Sequence, residues 1–407
     1  MIMNRVHYII VVVVFVFCLT PGFGEDFDWP SWRGPEKNSI SRENNLDFTK
    51  LNKKPQILWK GNVGSGYSSF SIQGNFLYTM GNSKSEDTVW CLDALTGKKI
   101  WSYSYKARAS SYRGPRATPI IDGQNLYTMS EWGDLFCFNA GTGKVIWNLS
   151  ITKEYKVKPP TWNLAGSPVV EGNVLYLNAN TYGLALDKRN GKKIWSSPPG
   201  RGGYSSPVLC TIEKIDYVII FGQKALYGVN RKTGEKIWEY PWVTGYDVNA
   251  ADPLVVGDQI FISSDYGAGC ALFKIKKKKA TQVWRNKVMN SHFSSFVFID
   301  GYIYGNDGSG LSERNGKFKS MKLSSGEVTW EEKLGFGSLL ATEDYLIMLS
   351  YNGNLTIAKV NPKKYEQVAQ TTVLSGTNWT PPVLVNGKIY CRNNKGDIVC
   401  LDVSKKK

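Results

Sequence analysis

Short apolar segments separated by turn residues recur along most of the chain. In residues 118–138 an apolar strand, an Asp-Gly turn, a second strand, a Trp-Gly turn and a third strand follow one another. Asp-Gly between two apolar runs is typical of a tight β-hairpin. This pattern predicts antiparallel sheets whose strands are consecutive in sequence.

A fourth strand ends each unit, and its sequence is nearly constant. Residues 91–101 read Cys-Leu-Asp-Ala-Leu-Thr-Gly-Lys-Lys-Ile-Trp, and similar phrases with Gly-Lys or Gly-Glu three residues before a Trp recur downstream. The spacings between successive members of the series Trp59, Trp101, Trp147, Trp195, Trp238, Trp284 and Trp330 are 42, 46, 48, 43, 46 and 46 residues. These intervals are close to the roughly 40–45 residues of a four-stranded propeller blade.

The number of repeats predicts the fold class. Comparable first strands begin at eight places: Ser69, Thr118, Ser167, Ser206, Asp252, Ser295, Ser338 and Pro381. The last copy supplies three strands and ends at Val403, whereas the Trp59 strand near the N-terminus has no strands before it. We therefore predict an all-β, eight-bladed β-propeller of four-stranded antiparallel blades, closed by an N-terminal outer strand in the C-terminal blade, which removes free sheet edges.

The recurring Trp has a structural interpretation. A large ring at a fixed distance from a Thr-Gly hairpin is best explained as a wedge between blades, with its indole N–H on a neighbouring carbonyl. The seventh blade has Gln367 near the equivalent place, so we expect the junction after that blade to be the loosest.

The repeated Asp-x-x-Thr-Gly-Lys-x-x-Trp phrase resembles the PQQ-like repeat of quinoprotein dehydrogenases and of BamB-like outer-membrane assembly lipoproteins. The segment Asp-Trp-Pro-Ser-Trp-Arg-Gly-Pro at residues 28–35 further resembles the opening of exported bacterial PQQ-like proteins. The resemblance covers about residues 28–403. It implies the propeller fold, and it leaves the function open because propellers host many activities.

The first 24 residues are typical of an export signal. Arg5 precedes an apolar stretch from Tyr8 to Leu19, and small residues follow it. That stretch is shorter than the roughly 20 residues of a membrane span, so we expect no transmembrane segment. The bulky Phe17 before Cys18 disfavours a lipoprotein signal. We predict an exported protein, periplasmic or extracellular, with a signal peptide at 1–24, an N-terminal strap at 25–56, the propeller at 57–403 and a basic tail at 404–407.

The formal net charge of +16 favours acidic partners. Export makes nucleic acid an unexpected partner, which leaves protein, peptide or anionic polysaccharide. The lysine runs at 276–279 and 405–407 are interpreted as solvated surface. We expect a monomer.

Candidate catalytic chemistry is sparse. His292 is the one histidine after the predicted signal, which excludes multi-histidine metal sites. The dehydrogenase resemblance implies adjacent cysteines, calcium-binding acids and an Asp base, yet no two cysteines are adjacent. Asp247, Asp252 and Asp265 lack a recognisable calcium-ligand spacing. We therefore predict no metal site, no PQQ or calcium, and no catalytic residue, and we expect a binding module rather than an enzyme.

The six cysteines after the signal are mostly small buried residues in this interpretation. If Lys395-Gly396 is a two-residue turn, Cys391 faces Cys400 across a hairpin. A disulfide between them and a pair of free thiols are both open at this point.

Topology assigns the binding site to one face. Connections between blades and turns between second and third strands share a face, which we call the loop face; the Thr-Gly turns form the opposite hairpin face. Variable loops carry function more often than short regular turns. The candidate ligand-binding residues on the loop face are Tyr67, Tyr112, Arg113, Arg116, Trp162, Asn163, Arg201, Tyr204, Tyr246, Asp247, Asn249, His292 and Trp379.

Three functions remain open. The first is an exported binding or scaffolding propeller with an anionic glycan, a peptide or a protein at the mouth of its channel. The second is a PQQ-dependent oxidoreductase, and the third is a BamB-like assembly factor for outer-membrane proteins.

Overall fold

The computed structural model describes residues 27–52, 55–108, 110–310 and 312–405. The predicted signal peptide and the last two residues of the basic tail lie outside this range. Eight four-stranded antiparallel sheets form a ring, as an eight-bladed propeller requires. The predicted fold class is confirmed.

The strands follow the chain in blade order. Blade 1 contains β2 (Ser71–Gln73), β3 (Phe76–Ser83), β4 (Glu86–Asp93) and β5 (Lys99–Lys106). Blade 2 contains β6 (Ile120–Asp122), β7 (Asn125–Met129), β8 (Asp134–Asn139) and β9 (Val145–Ser150), followed by the short helix α1 (Ile151–Glu154). Blade 3 contains β10 (Val169–Glu171), β11 (Val174–Leu177), β12 (Leu184–Asp187) and β13 (Lys193–Ser196). Blade 4 contains β14 (Val208–Ile212), β15 (Ile215–Phe221), β16 (Ala225–Asn230) and β17 (Lys236–Pro241).

The second half repeats this order. Blade 5 contains β18 (Leu254–Val256), β19 (Gln259–Ser264), β20 (Gly269–Lys276) and β21 (Lys279–Asn286). Blade 6 contains β22 (Val297–Ile299), β23 (Tyr302–Asp307), β24 (Lys317–Lys322) and β25 (Val328–Glu332). Blade 7 contains β26 (Gly337–Ala341), β27 (Tyr345–Ser350), β28 (Asn354–Lys359) and β29 (Gln367–Thr372). Blade 8 contains β30 (Val383–Val385), β31 (Lys388–Arg392), β32 (Asp397–Asp402) and the N-terminal β1 (Ile57–Asn62). Short 3-10 turns lie at Phe48–Asn52, Gly245–Asp247 and Glu313–Asn315.

The ring closes in the last blade, where β1 pairs antiparallel with β32. This agrees with the predicted role of the N-terminal outer strand. The buried guanidinium of Arg392 strengthens the same closure, because its Nη1 donates to the Ser68 and Met80 carbonyls of blade 1 at 2.7 and 2.8 Å.

The repeated Trp lies between blades. The Trp59 indole Nε1 donates to the Ala94 carbonyl of the next blade at 2.9 Å, and the Trp101 indole donates to Ala140 at 2.8 Å. Gly97 has a φ of +70°, and a Cβ there would lie 2.6 Å from the Trp59 ring. The Thr-Gly turn therefore needs glycine for two reasons: its φ is positive, and any side chain there would collide with the Trp ring of the preceding blade.

Blade 7 lacks the Trp, and the N-terminal strap fills the space. A bulge in β29 puts Ala369, rather than Gln367, at the register position that Trp101 has in blade 1. Phe48 and Leu51 of the strap pack in the same hydrophobic cluster as Ala369 and are 2% and 1% exposed. The junction that the sequence predicted to be loosest is therefore filled by side chains from outside the blade.

A row of hydrogen bonds joins the inner strands of blades 1 to 6. The Ser69 N–H donates to the Thr118 hydroxyl at 3.1 Å, and the same bond repeats from blade 2 to blade 3 and from blade 3 to blade 4. In blade 5 the acceptor is the carboxylate of Asp252, at 2.7 Å from the Ser206 nitrogen. The residues at which the first strands were predicted to begin thus fasten neighbouring blades around the channel.

The strap crosses the channel on the hairpin face. Trp29 pairs with Ile72 of blade 1 through two main-chain hydrogen bonds, and the Pro30 carbonyl accepts from Ile121 of blade 2 at 2.8 Å. Further along, residues 39–41 pair with Ala341 of blade 7. The strap therefore runs across the ring from blades 1 and 2 to blade 7 and covers part of the channel on this side.

The predicted pairing register of Cys391 and Cys400 is wrong, and of the two open alternatives the structure has free thiols. Cys391 lies opposite Val399, and Cys400 lies opposite Tyr390, so the register differs by one residue from the predicted one. The reason is the turn, which is wider than Lys395-Gly396 because Asn393 and Asp397 pair across it. Since neighbouring strand positions point to opposite faces, Cys391 packs towards blade 7 and Cys400 towards blade 1, and both are free thiols.

The filled junction can be tested by Phe48→Ala. Removal of a ring that is 2% exposed should lower the free energy of unfolding by about 3–5 kcal/mol. The control is Leu58→Ala, whose side chain is 37% exposed and should cost little. Chemical denaturation of both variants measures the difference, and equal stabilities would contradict the packing role of the strap.

Candidate functional site

An aromatic cavity of about 460 Å³ occupies the loop-face end of the channel. We call it the cup. Its wall is formed by residues that precede the inner strands, and its floor by Trp32 of the strap. The lining residues are Trp32, Tyr67, Tyr112, Arg116, Trp162, Ala165, Ser167, Tyr204, Ser206, Tyr246, Val248, Ala250, Asp252, Tyr266, His292, Phe293, Gly310, Trp379 and Pro381.

Aromatic rings form an almost continuous belt around the mouth of the cup. Trp379 stacks on Tyr67 with ring centroids 5.6 Å apart, and it also contacts Phe293 at 5.0 Å. The belt continues through these ring pairs: Phe293 with His292 at 4.7 Å, His292 with Tyr266 at 5.5 Å, Tyr266 with Tyr246 at 5.4 Å, Tyr246 with Trp162 at 5.8 Å and Trp162 with Tyr204 at 6.3 Å. Such mutual contacts orient the rings before any ligand arrives.

Arg116 closes the belt between Tyr204 and Tyr67, and its charge is already balanced. The guanidinium forms an ion pair with Glu131, whose side chain is 2% exposed, and it donates to the Tyr112 carbonyl at 2.8 Å. It also lies 5.9 Å from the centre of the Tyr67 ring. Asn163 donates to the same Glu131 carboxylate at 2.8 Å. This network positions the cation at the wall without leaving it free for an anion.

His292 contributes a neutral ring. Burial lowers the pKa of His292, and the Asp265 carboxylate, 3.9 Å from Nδ1, opposes that shift only in part. Nδ1 accepts a long hydrogen bond from the Gly310 N–H at 3.4 Å, as an unprotonated nitrogen can. The histidine therefore acts as an aromatic member of the belt.

The floor depends on a buried carboxylate. The Trp32 indole Nε1 donates to Asp252 Oδ2 at 2.6 Å, and Arg33 Nη1 lies 3.9 Å from the same oxygen. Arg33 also donates to the Phe296 carbonyl at 2.5 Å. Burial raises the pKa of Asp252 and lowers that of Arg33, while their mutual attraction opposes both shifts. Removal of one partner would leave the other buried without compensation, which typically costs 3–5 kcal/mol.

The structure brings eight of the thirteen predicted site residues into the cup: Tyr67, Tyr112, Arg116, Trp162, Tyr204, Tyr246, His292 and Trp379. The other five do not line it. Arg113 and Arg201 are exposed on the rim, and Asp247 is partly exposed beside Tyr246. Asn163 and Asn249 are buried and donate to protein acceptors, the latter to the Gly222 carbonyl at 2.9 Å. These two asparagines therefore support loops rather than face the cavity.

Sequence reasoning missed several lining residues. Phe293 is adjacent to the chosen His292, and Tyr266 lies in a second-to-third-strand turn of the loop face, so both could have been found from the topology. Trp32 could not, because only the path of the strap brings it to the floor. Asp252 was recognised as the start of an inner strand and as a doubtful calcium ligand, but its partner Arg33 lies 219 positions away in sequence.

Candidate metal ligands are not assembled. In the described ranges no group of three or more His, Cys, Asp and Glu residues is placed to hold a metal ion. Asp252 is bonded to Trp32 and Ser206, and Asp265 lies beside His292. The three acids considered as calcium ligands thus have separate surroundings.

A closed eight-bladed ring with repeated inter-blade Trp and a blind aromatic cup defines a PQQ-like repeat propeller. Residues 85–332 match the family model described as "Outer membrane protein assembly factor BamB", and the chain belongs to that family. Among the described residues, no helix is long and apolar enough to span a bilayer.

Known relatives carry two kinds of name. The chain is 22% identical over 377 residues to the outer membrane protein assembly factor BamB of Yersinia pestis, covering 84% of this chain and 88% of the relative. It is 26% identical over 175 residues to the quinoprotein ethanol dehydrogenase of Pseudomonas putida, covering 39% of this chain and 28% of the dehydrogenase.

Solved structures support the fold alone. Quinohemoprotein alcohol dehydrogenase from Comamonas testosteroni superposes with a TM-score of 0.68 at 13% identity, covering 93% of this chain and 81% of that structure. BamB from Moraxella catarrhalis superposes with a TM-score of 0.60 at 15% identity, covering 86% of this chain and 99% of that structure.

The cup is a poor fit for the quinone of the dehydrogenases. PQQ is a tricarboxylate and requires cationic partners, but the Arg116 guanidinium of the cup is bound to Glu131. The Asp252 carboxylate is likewise bound to Trp32 and lies against Arg33. The adjacent cysteines implied by the dehydrogenase resemblance are also missing from the sequence. No step through this cofactor follows from these residues.

A buried polar layer lies beside the cup, between blades 1 and 2. Asp87 is fully buried, and its Oδ1 accepts from Asn82 at 2.7 Å, whereas its Oδ2 has no protein partner. Tyr105, directly opposite Asp87 in the sheet, also has an unpartnered hydroxyl. Burial raises the pKa of Asp87 to about 6, with nearby Glu131 and Asp134 adding to the shift.

Asp87→Asn should change the pH dependence of stability. Because the folded state binds the Asp87 proton more tightly than the unfolded chain does, this group's contribution to stability is lost as pH rises from about 4 through 6, by up to about 3 kcal/mol. The variant should be more stable than the wild type at pH 8, and the difference should shrink at pH 4.5. Chemical denaturation at both pH values measures this, with the exposed Asp300→Asn as control. A difference that does not depend on pH would contradict the assignment.

Proposed function

We propose that this protein is an exported binding module whose cup receives an apolar or aromatic side chain from a segment of a partner protein. The observation that carries the proposal is the belt of pre-oriented rings around a cavity of about 460 Å³ closed by Trp32. This volume lies within the range of small-ligand sites, and aromatic residues predominate at the centres of protein interfaces.

The charges inside the cup favour an uncharged group. Arg116 is paired with Glu131, the pKa of His292 is lowered, and Asp252 is held by Trp32 and Arg33. The cations that remain free for an anion lie outside, at Arg113 and Arg201 on the rim. An apolar side chain in the cup, flanked by acidic residues on the rim, would use both features. An anionic glycan could stack on the same rings, but its charges would find few partners within the cavity.

Membership in the BamB family supports a protein partner. The family relative from Yersinia pestis is named for outer membrane protein assembly, and a role of that kind is the second candidate function for this chain. A role of that kind supports a location in the cell envelope, which the predicted export signal also supports. We propose that the protein acts without PQQ or calcium, as a monomer, and not as a dehydrogenase.

Binding to the cup can be tested with peptide and glycan arrays, followed by calorimetry of the best peptide. We expect selected peptides to combine an aromatic or aliphatic residue with flanking acids. Trp379→Ala and Trp162→Ala should each weaken binding by about thirtyfold, because loss of a central interface Trp typically costs 2 kcal/mol or more. Arg113→Ala combined with Arg201→Ala should reduce the salt dependence of the affinity.

The matched control is Trp132→Ala. Trp132 is on the same face, packs against Arg108 at 5.5 Å and does not line the cup. If this control weakens binding as much as Trp379→Ala, or if the best ligand binds all variants equally, the cup is not the site.

A further inference from the structure

A second cavity, of about 530 Å³, lies on the hairpin face, and we call it the lower cavity. The strap from Pro30 to Asn38 forms one wall, and the inner strands β6, β10, β14 and β18 form the other. Trp32, Ser206 and Asp252 line both the lower cavity and the cup, so these residues separate the two spaces.

The strap shows how an extended chain binds to the inner strands. In blade 1, Ile72 donates to the Trp29 carbonyl at 2.9 Å and accepts from the Trp29 N–H at 2.8 Å. In blade 7, Ala341 donates to Ser39 at 2.9 Å and accepts from Ser41 at 2.8 Å. Ile72 lies three positions after Ser69, and Ala341 lies three positions after Ser338, the equivalent residue of blade 7. At this position the main-chain N–H and C=O groups therefore point away from the blade and into the channel.

The equivalent positions in blades 3, 4 and 5 are Val170, Leu209 and Val255. Their cross-strand partners confirm the equivalence: Val170 lies opposite Leu175, Leu209 opposite Val218 and Val255 opposite Ile260, as Ile72 lies opposite Leu77.

Val170, Leu209 and Val255 are accessible from the cavity, whereas the equivalent residues that bind the strap are buried beneath it. Ile72, Ile121 and Ala341 are 0%, 6% and 0% exposed, whereas Val170, Leu209 and Val255 are partly exposed and line the lower cavity. Within the described chain, no main-chain hydrogen bond reaches across the cavity to any of the three. An unpaired strand edge is a template for another extended chain.

The side chains and charges around the edge define the kind of chain. Val169, Val208 and Leu254 supply apolar wall next to the open positions. The charged residues that line the cavity itself are Glu36, Asp122, Glu171 and Asp252 beside Arg33 and Lys37. Further from the cavity, the hairpins between the third and fourth strands at 187–193, 230–236 and 274–279 contain twelve Lys and Arg residues against two acidic residues. Arg231 donates through Nη2 to the carbonyl of the lining residue Cys210 at 3.1 Å, but its charge is already paired with Glu171 and Asp216. The acidic ends of a segment would therefore contact the lysines of the outer hairpins, such as those at 276–279.

We propose that the lower cavity binds an extended segment of a partner protein, which forms main-chain hydrogen bonds with Val170, Leu209 and Val255. The segment has apolar side chains that pack on the inner strands and acidic residues that contact the basic hairpins. This site is separate from the cup and does not depend on the function proposed for it.

The probe is a nine-residue peptide of five alternating Val and Thr residues with two Asp residues at each end. The test variant combines Val170→Pro, Leu209→Pro and Val255→Pro, which removes the three N–H donors that point into the channel while the bonds within each blade remain. We expect a loss of affinity of at least tenfold. The matched control is Phe298→Pro, at the same register position in blade 6 but outside the lower cavity, which should bind like the wild type.

Hydrogen exchange on the wild-type protein gives an independent readout, which also serves if the triple variant does not fold. Without peptide, the amides of Val170, Leu209 and Val255 should exchange faster than those of Ile72 and Ala341, and peptide should slow them. A peptide with Lys in place of Asp should bind at least tenfold more weakly. The proposal is overturned if the Asp peptide does not bind, if it binds the folded triple variant as well as the wild type, or if protection appears at the cup instead.

Discussion

The carboxylate of Asp252 joins the ring to the strap, and both cavities depend on that contact. Six other blades have Ser or Thr at this position of the inner strand. Asp252 Oδ1 accepts the Ser206 N–H at 2.7 Å, as the Ser or Thr hydroxyl accepts the N–H of the preceding blade elsewhere. Its second oxygen accepts the Trp32 indole at 2.6 Å and attracts the buried Arg33. One change of residue type in a repeated ring thus supplies the acceptor that holds the strap.

This contact converts an open channel into two spaces with different properties. Towards the loop face, Trp32 is the floor of a cup whose rings contact each other and whose charged groups are paired. Towards the hairpin face, the same strap leaves the inner strands of blades 3, 4 and 5 uncovered beside hairpins rich in lysine. Since the strap pairs with blades 1, 2 and 7, its path decides which edges stay open. A propeller of this kind can bind different partners on its two faces without any change in the blades.

The sequence was sufficient for the architecture because every blade repeats the same local signals. The Asp-x-x-Thr-Gly-Lys-x-x-Trp phrase contains a turn that needs glycine and a ring that needs a neighbour, so its spacing defines blade number and closure. The same regularity located most of the cup, since residues before inner strands converge at the channel axis. Trp32, Phe48 and Arg33 were not predictable in this way, because nothing periodic describes where a single strap crosses the ring. The predicted register of Cys391 was wrong for a related reason: in the sequence, a Lys-Gly pair within a wider turn cannot be told from a two-residue hairpin turn.

The most direct test of the contact between Asp252 and the strap is Asp252→Ser, which restores the residue type of most other blades. The serine hydroxyl can still accept the Ser206 N–H, but Trp32 loses its acceptor and Arg33 its counter-charge. We predict that the amides of Trp29, Ile72 and Ala341, which hold the strap, exchange about 100-fold faster or more, while the buried blade amide of Val89 stays protected. Unchanged exchange at the strap, or equal loss of protection in the strap and the blades, would contradict this account.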